Sequence, residues 1–309
     1  MRYRYFLKTG SEEGIVLVLT LLILAIITAM VVEFAYGVYT TTSALYNWRD
    51  SQRLSFVAKS GTSVAVNLIS SYAGYANVLV GNDLYKYLGR QIPLENVSEG
   101  FKGRLIIEAD DENSKFNLNS INRIELDGTR QSYEAFKRLL GFLGLDETIA
   151  DRIAYWTDPS KEPGLANTEN VTKNGFMESV DELLLIKGID QKTYEKLLPY
   201  VTVYSYSGIN NMLDPSVNVN TASIPVIMCL ANISKESAQT LVNQRELKPF
   251  GSVGEAANIG INLSPEFFTA TTPKNFRITS IGEENKIRRV IESVIRIDGG
   301  NTVLYWQET

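Results

Sequence analysis

One apolar run dominates the N-terminal part of the chain: Ile15-Val-Leu-Val-Leu-Thr-Leu-Leu-Ile-Leu-Ala-Ile-Ile-Thr-Ala-Met-Val-Val32. The run holds eighteen residues and no charge. At a rise of ~1.5 Å per residue, a helix of this length covers roughly 27 Å, which is close to the hydrocarbon thickness of a bilayer. The run therefore predicts a helix that spans a membrane.

The residues before this run carry the basic side chains Arg2, Arg4 and Lys8 and end in the small residue Gly14. A secretory signal has its cleavage site after a shorter apolar region, whereas the small residue here stands before the run. Cleavage after Gly14 would make Ile15 the new N-terminus and keep the apolar helix as an anchor. Because basic residues flank the cytoplasmic end of a membrane helix, we expect the leader in the cytoplasm and the body outside. A plain signal anchor is the alternative.

This order of basic leader, glycine and apolar helix resembles the type IV prepilins. The resemblance implies that a prepilin peptidase cuts between Gly14 and Ile15 and that the new N-terminus is methylated. Prepilins normally carry Glu at the fifth mature position, where this chain has Leu19. A charge buried at membrane depth needs a partner, so a subunit with no neighbour above it should lack that Glu. Leu19 therefore predicts a subunit at a filament tip.

The composition argues against two classes of protein. The net charge of −5 and the pI near 5.1 oppose a general nucleic-acid binder, which normally shows a basic face. The chain has no histidine, which is the commonest general base and a usual zinc ligand. It also has neither a Gly-rich phosphate loop nor a G-x-S-x-G motif, and its one cysteine, Cys229, excludes an internal disulfide. We therefore do not expect an enzyme.

The helical pattern continues past Val32 to about residue 71, with no proline before Pro93. It predicts one helix over 15–71, roughly 85 Å long at ~1.5 Å per residue, whose second half must pack on other parts of the chain. Extended patterns occur at 103–109, 116–119, 275–281, 286–297 and 302–306, with hairpin turns at 282–285 and 298–301. A long N-terminal transmembrane helix packed on an antiparallel sheet is an α+β, pilin-like fold.

A region with helical periodicity separates the two groups of predicted strands. Ser179 and Glu182 form a capping box, and Thr221 is predicted to cap a helix over 224–231. The sequence thus predicts a leader over 1–14, a transmembrane and packing helix over 15–71, the first part of a pilin-like α/β domain over 72–119, a large inserted, mostly helical domain over 120–272, and the C-terminal strands of the pilin-like domain over 273–309.

Two segments of the predicted insert, 180–198 and 223–245, share the plan of a short helix, a tight turn and a second helix. The turn Ile186-Lys-Gly-Ile189 resembles the hairpin of helix-hairpin-helix or SAM-like repeats, whose backbone N–H groups can bind phosphate. Asp190 follows this hairpin directly, and the second hairpin has Asn232 where glycine is expected. These departures indicate that the hairpins pack a small helical core and argue against DNA binding, so we expect an interaction domain.

Leu19, the helical insert and the chain length together resemble one family, the K-type minor pseudopilins of the type II secretion system (general secretion pathway protein K). The matching segments are Phe116-Asn-Leu-Asn-Ser120, Tyr155-Trp-Thr-Asp158, 181–189, 198–203, Val217-Asn-Val-Asn-Thr-Ala-Ser223, and Arg245 with Pro249-Phe250. The resemblance implies a non-catalytic subunit that caps the major pseudopilin filament with the I- and J-type minor pseudopilins. It further implies help in starting assembly, contact with the secretin and exported substrate, and a single-pass inner-membrane protein with a cytoplasmic N-terminus and a periplasmic body.

The same resemblance implies calcium in the inserted domain, at the loop that begins with Asp158 and follows Asp151. Ca²⁺ takes 6–8 oxygen ligands in a flexible shell. The candidate ligands in this loop are Asp158, Glu162, Asn167 and Glu169. The sequence departs from the family pattern at Tyr155, where the family has Asp, and at Asn167-Thr-Glu169, where it has Gly-Ala-Glu. Solvated surface acids without a metal are the alternative.

Three other functions fit parts of the sequence. A minor pilin of a type IV pilus or competence pseudopilus has the same leader and helix, so only the insert argues against it. A membrane-anchored DNA-binding protein would use the helix-hairpin-helix segments and should bind duplex DNA with a steep dependence on salt. An anchored enzyme based on carboxylates has little support without histidine or a phosphate-binding motif.

Overall fold

The computed structural model describes residues 12–74, 81–95, 97, 101–124, 129–158, 160, 172–205 and 215–309. The chain divides into two compact units, Met1–Leu54 and Ser55–Thr309. The helices are α1 (Glu12–Gly74), α2 (Gly81–Tyr87), α3 (Gln131–Phe142), α4 (Thr148–Thr157), α5 (Gln191–Leu197), α6 (Ile224–Ala231) and α7 (Lys235–Leu247). The strands are β1 (Ile92–Glu95), β2 (Arg104–Asp111), β3 (Phe116–Asn117), β4 (Val201–Thr202), β5 (Val217–Asn218), β6 (Phe268–Thr269), β7 (Asn275–Glu284), β8 (Ile287–Ile297) and β9 (Asn301–Glu308). Short 3₁₀ helices lie at Glu112–Ser114, Leu118–Ser120, Val180–Leu185 and Val253–Ile259.

The first unit contains the N-terminal part of α1, whose large apolar side chains from Ile15 to Val32 are exposed. Among the residues described, Gly14–Ser71 is the one helix long and apolar enough to cross a membrane. The hydrocarbon core of a bilayer has no water to bond to backbone N–H and C=O groups. A continuous helix meets this requirement, because its backbone groups bond to each other. The predicted helix over 15–71 is confirmed, with observed bounds a few residues wider, and it runs through both Gly37 and Gly61.

The second unit is built on a five-stranded antiparallel sheet in the order β1-β2-β7-β8-β9. Strands β2 and β7 are neighbours although the whole helical region separates them in sequence, and Asp111 at the end of β2 pairs with Phe276 near the start of β7. The chain therefore leaves the sheet and returns to it at one place. The predicted strands over 103–109, 275–281, 286–297 and 302–306 correspond to β2, β7, β8 and β9.

The C-terminal part of α1 packs on one face of this sheet. The buried residues of this contact are Ala65, Val66, Ile69, Leu84, Leu105, Ile107, Phe276, Ile278, Ile295 and Ile297. Removing each large aliphatic side chain from water contributes about 1.5–3 kcal/mol. Gly61 allows the close approach, because a Cβ atom there would lie 2.2 Å from Ser280 Oγ and 2.7 Å from Leu105 Cδ1.

The turn between β7 and β8 differs from the prediction. Gly282 lies inside β7, paired with both Leu105 and Arg289, so the predicted turn over 282–285 starts too early. The two linking residues are Asn285 and Lys286, with φ of 50° and 75°. Two positive φ values match the twist of a tight hairpin, and Asn tolerates this conformation better than most residues. The second turn, at 298–300, lies where the sequence predicted it.

The helical insert between β2 and β7 contains two subdomains, each closed by a pair of parallel strands. In the first subdomain, residues 116–205, β3 pairs with β4; in the second, residues 217–271, β5 pairs with β6. Between its two strands the first subdomain has the 3₁₀ helix Leu118–Ser120, α3, α4, a second 3₁₀ helix and α5, and the second has α6, α7 and a 3₁₀ helix. Their buried side chains form one continuous hydrophobic core.

Equivalent backbone contacts relate the two subdomains. The opening strands bond in the same way, with Phe116 N donating to Tyr200 O at 2.8 Å and Val217 N donating to Phe267 O at 2.9 Å. The first helix of each pair is followed by a left-handed residue, Gly144 in the first subdomain and Asn232 in the second, with φ of 63° and 51°. Glycine and asparagine are the residues that adopt this conformation most readily. The second subdomain therefore repeats the plan of the first in a shorter form.

The two predicted helix-hairpin-helix repeats are not confirmed. In the first segment, Val180–Leu185 is a 3₁₀ helix followed by α5, whereas the second segment contains the α-helices α6 and α7. In the observed repeat, α6 and α7 correspond to α3 and α4, and the 3₁₀ helix Val180–Leu185 corresponds to Val253–Ile259. The predicted alignment therefore paired the second half of one subdomain with the first half of the other.

Several local predictions also need correction. Thr221 does not cap α6; its hydroxyl donates to Asp111 Oδ2 at 2.6 Å, and Ser223 occupies the N-cap position. The extended pattern over 116–119 forms a strand for two residues only and pairs with β4, because its asparagine side chains bond to backbone and start a 3₁₀ turn. Helix α2 and strand β1, which contains Pro93, were not predicted. The capping box of Ser179 and Glu182 is present as predicted.

Candidate functional site

The predicted processing site lies in the exposed N-terminal part of α1. Gly14, Ile15 and Leu19 are all exposed, and a Cβ atom at Gly14 would meet no atom of the described residues within 4 Å. Leu19 exposes 55% of its surface, as do its apolar neighbours on the helix. Cleavage after Gly14 stays a prediction.

Of the four predicted calcium ligands, the structure describes Asp158. This residue is the C-cap of α4, and its Oδ1 accepts hydrogen bonds from Ser160 N at 2.8 Å and Ser160 Oγ at 2.7 Å. Glu162, Asn167 and Glu169 lie outside the described residues. Asp151, which precedes the loop, accepts a 2.5 Å hydrogen bond from the Tyr133 hydroxyl on α3. The structure therefore places Asp151 against α3.

Asn174 adds an oxygen that the sequence analysis missed. The backbone N–H groups of Lys173 and Asn174 both donate to Trp156 O at 3.2 Å, so the two ends of the loop lie next to each other. Asn174 has a φ of 57°, and its buried Oδ1 has no hydrogen-bond donor among the residues that the structure describes. A buried amide oxygen without a donor is a suitable ligand for a hard cation such as Ca²⁺. Within the described residues, no group of three or more carboxylate, His or Cys side chains is arranged for a metal.

The acidic turn at 110–113 is buried at the junction between the sheet and the helical insert. Asp111 is 3% exposed, and its carboxylate accepts from Asn113 N at 2.8 Å, Asn218 Nδ2 at 2.9 Å and Thr221 Oγ1 at 2.6 Å. Burial raises the pKa of Asp111 to about 7, since these neutral donors offset only part of the desolvation of the charged form. Asp111 thus bonds the end of β2 to the second subdomain.

The next residue, Glu112, is fully buried and has different partners. Its carboxylate contacts Lys115 Nζ at 3.0 Å, Arg277 Nε at 2.5 Å and Thr202 Oγ1 at 2.5 Å. Burial alone would raise the pKa of Glu112, but the charges of Lys115 and Arg277 outweigh it and lower the pKa to about 2. Because Thr202 belongs to β4, Glu112 bonds the sheet to the first subdomain.

We call Asp111, Glu112 and the side chains that bind them the acidic junction. Asp111 is the last residue of β2 and Glu112 is the next residue, and each binds a different subdomain with a carboxylate that is buried from solvent. Truncating one partner of a buried, charged hydrogen bond costs more than a surface contact, because the other partner stays buried and unpaired. The junction therefore sets how the insert is attached to the sheet.

The two Asn-x-Asn motifs each hold a distant loop of their own subdomain. Asn119 Nδ2 donates to Met177 O at 3.0 Å, and Asn119 Oδ1 accepts from Met177 N at 2.7 Å. Asn220 makes the same pair of bonds with Phe250, at 2.9 and 2.8 Å. The two Asn-x-Asn motifs, which were part of the family resemblance, thus bind the backbone of a distant loop through buried side chains. These bonds hold equivalent loops in front of the 3₁₀ helices Val180–Leu185 and Val253–Ile259.

The hairpin that resembled a phosphate-binding turn is occupied by its own subdomain. Gly188 has a φ of 87°, and a Cβ atom there would lie 1.4 Å from Arg152 Nη1. Arg152 Nη1 also donates to Lys187 O at 2.8 Å. The exposed side chain of Arg152 thus lies against this turn, and the flanking Ile186 and Ile189 are buried in the helical core. Whether the hairpin binds DNA stays a prediction.

Two family models match the chain. Both are described as "Type II secretion system (T2SS), protein K"; one matches residues 114–206 and the other matches residues 217–264. The first range coincides with the first subdomain, and the second range covers most of the second subdomain.

Curated relatives bear the same description. The chain is 31% identical to type II secretion system protein K of Pseudomonas aeruginosa over 168 residues, which are 48% of this chain and 47% of that protein. It is 25% identical to the Klebsiella pneumoniae protein of the same name over 268 residues, or 78% of each chain. In the first two relatives, from Pseudomonas aeruginosa and Dickeya chrysanthemi, the chain spans less than half of the relative's length, 47% and 40%.

A solved structure has a similar fold. It is a chain of the GspK-GspI-GspJ complex from the type II secretion system of enterotoxigenic Escherichia coli, with a TM-score of 0.59. The similarity covers 85% of this chain and 98% of that one at 16% sequence identity, which establishes a shared fold.

Proposed function

Because this chain belongs to the type II secretion system protein K family, we propose that it is a minor pseudopilin at the tip of a secretion pseudopilus. The observation that carries the proposal is the position of the two family matches, one in each subdomain of an insert between neighbouring strands of a pilin-like sheet. The sheet and α1 are the parts expected to join a filament, and the insert is the part that distinguishes this subunit. Its role is structural, in starting assembly and in the export of folded proteins across the outer membrane.

The tip position is supported by Leu19. A carboxylate at this point of an apolar helix would need a neutralising partner from an adjacent subunit, since an unpaired charge at membrane depth costs several kcal/mol. Leu19 needs no such partner and lies among exposed apolar side chains. A subunit with this residue can therefore occupy a position with no neighbour above it.

The proposed partners are the I- and J-type minor pseudopilins and the major pseudopilin filament below them. The similar solved structure is that of a GspK-GspI-GspJ complex, and the family matches together with the shared fold support an equivalent complex of this chain. The secretin and exported substrate are further partners that this role would require. Prepilin peptidase would release the leader after Gly14 and leave α1 as a single-pass anchor in the inner membrane, with the second unit in the periplasm.

Calcium is proposed as a ligand of the first subdomain. Asp158 and Asn174 stand near the two ends of the predicted calcium loop and would supply a carboxylate and an amide oxygen. The ion would tie these ends together through oxygen ligands, which is a structural role.

The experiment that tests the tip assignment uses the full chain in detergent, coexpressed with the I- and J-type pseudopilins of the same host. Size exclusion with light scattering measures the protein mass of the purified assembly, and mass spectrometry of the chain shows whether the leader before Ile15 has been removed. We expect a 1:1:1 complex that contains the processed chain. A chain that elutes without either partner would contradict the proposal and favour a minor pilin of a different pilus system.

A further inference from the structure

A cleft of about 800 Å³ lies between the pilin-like part of the second unit and the second subdomain. One wall is formed by residues 85, 86 and 88–90, at the end of α2 and just after it, and the other by residues 245–249 at the end of α7. The floor includes Asp110 and Asp111 of β2. A volume of this size is within the range of ligand sites, which are about 300–1,000 Å³.

The walls of this cleft carry cations without ion-pair partners among the described residues. Within the part of the chain that the structure describes, neither Arg90, Arg245 nor Lys248 has a carboxylate oxygen within 4.0 Å. Arg245 is half-buried, and its Nη1 donates to Val219 O at 2.8 Å and Ala222 O at 2.7 Å. Desolvation lowers the pKa of Arg245 to about 10, and the charge of the neighbouring Glu246 offsets part of this effect.

Of the acidic residues of the cleft, Asp111 is buried, Asp110 is half-buried and Glu246 is exposed. Asp111 is buried beneath the surface and bound by Asn218 and Thr221, and desolvation raises the pKa of both Asp110 and Asp111. Glu246 is exposed at the rim. In a chain with 35 acidic and 30 basic residues, a cleft with available cations on both walls is a local reversal of the overall charge.

An apolar side chain lies beside these cations. Leu247 is 83% exposed, the highest exposure of the large apolar residues described in the second unit, and it stands between Glu246 and Lys248 on the cleft wall. Pro249 and Leu88 add apolar surface to the same cleft. A ligand that fits both features carries negative charges next to an aliphatic group.

We propose that this cleft binds an acidic peptide segment, with an aliphatic residue among its carboxylates, presented by a protein partner. Carboxylates of the segment pair with Arg90 on one wall and Lys248 on the other, and its aliphatic side chain packs on Leu247. Arg245 contributes positive potential from beneath while it holds the backbone at Val219 and Ala222. The cleft differs from the acidic junction and the calcium loop in its residues and in the sign of the charge that it attracts.

The test uses the full chain in detergent and two labelled peptides, Glu-Glu-Leu-Glu-Glu and Gln-Gln-Leu-Gln-Gln, in fluorescence anisotropy titrations. The acidic peptide should bind and the neutral peptide should not. Lys248→Glu and Arg90→Glu should each weaken binding of the acidic peptide by about tenfold or more, because each reverses one charge of the site. Binding should also weaken as salt concentration rises.

The matched control is Lys235→Glu, which makes the same charge change at the opposite end of α7, roughly 20 Å away at ~1.5 Å per residue. It should leave the affinity within about twofold of the unmodified chain. The proposal is overturned if no binding is seen up to about 1 mM peptide, or if Lys235→Glu weakens binding as much as Lys248→Glu. If a single-stranded oligonucleotide competes for the cleft more strongly than the acidic peptide does, the proposal is overturned and the ligand of the cleft is a nucleic acid.

Discussion

Asp111 and Glu112 are adjacent carboxylates with pKa values shifted in opposite directions. Both are buried, so desolvation disfavours the charged form of each. Glu112 has two cations within 3.0 Å, whereas Asp111 accepts hydrogen bonds from neutral groups. The charge of the partner, and not the depth of burial, therefore decides which carboxylate stays ionised.

These shifts give opposite contributions to the pH dependence of stability. Asp111 has a folded pKa of about 7 against an ordinary value of 3.8, so its contribution is fully present below about pH 4 and is lost as pH rises through about 7. Glu112 has a folded pKa of about 2 against 4.5, so its contribution is present above about pH 4.5 and is lost as pH falls toward about 2.

Asp111→Asn should remove the first of these dependences. Asparagine cannot ionise, and it offers one acceptor oxygen where aspartate offers two, so the variant should lose about 1–3 kcal/mol of stability. The melting temperature of the full chain in detergent, measured from about pH 5 to about pH 8, should fall with pH in the original chain and be nearly flat in the variant. Asp298→Asn, an exposed change on the β8–β9 turn, is the control. A variant that keeps the original slope would rule out Asp111 as its source.

The acidic junction was not predictable from local sequence. Four polar residues in a row are typical of a solvated turn, and the partners of Asp111 and Glu112 in the insert are distant in sequence. Asn218 lies 107 residues after Asp111, and Thr202 lies 90 residues after Glu112. The signal available in the sequence was the second Asn-x-Asn motif, since its Asn218 binds Asp111.

Among the helices and strands, those with strong local patterns were predicted well. The apolar run and the absence of proline defined α1, and alternation in β-branched residues defined β2, β7 and β8. Elements defined by distant contacts were missed or misassigned. Strand β1 contains Pro93 and exists because it lies at the sheet edge beside β2, and the 3₁₀ helix Val180–Leu185 has the apolar pattern of an α-helix.

The packing of α1 on the sheet predicts different effects for its two central glycines. Gly61→Ala should destabilise the chain by about 1–3 kcal/mol, because the new Cβ atom would overlap Ser280 Oγ and Leu105 Cδ1. At Gly37 the new Cβ would have no atom of the described residues within 4 Å, so Gly37→Ala should stabilise the helix by about 0.5–1 kcal/mol. Thermal unfolding in detergent measures both. Equal increases in melting temperature would show that Gly61 does not contact the sheet.

The loop after α4 predicts a calcium effect on thermal stability. An ion that binds the native state at about 100 times its Kd should add about 2.7 kcal/mol to the free energy of unfolding. Asp158→Asn and Asn174→Ala should both reduce the rise in melting temperature that calcium produces, and Glu178→Gln, an exposed change after the loop, should not. If calcium leaves the melting temperature of the original chain unchanged, neither residue is a ligand.

In the chain as a whole, the sequence predicted an inserted helical region but not how it is divided. The two subdomains differ in length, because the second has no described helix in the place of α5, and this difference hides the repeat from a comparison of spacings. Each subdomain instead keeps the features that close it: a pair of parallel strands and an asparagine that clamps a distant loop. Their separate family matches follow the same division.

The two ends of the insert lie side by side, since Asp111 and Phe276 are paired residues of neighbouring antiparallel strands. In evolutionary terms, the insert is a cassette: a segment that occupies the place of the loop between the two antiparallel strands β2 and β7. Such a cassette can be gained, lost or exchanged while the strand order of the host sheet stays the same, and each doubling of the connection costs only about 0.6 kcal/mol in loop-closure entropy. Each subdomain has its own pair of parallel strands, but the two share one hydrophobic core, so a change in one subdomain has to fit the packing surface of the other.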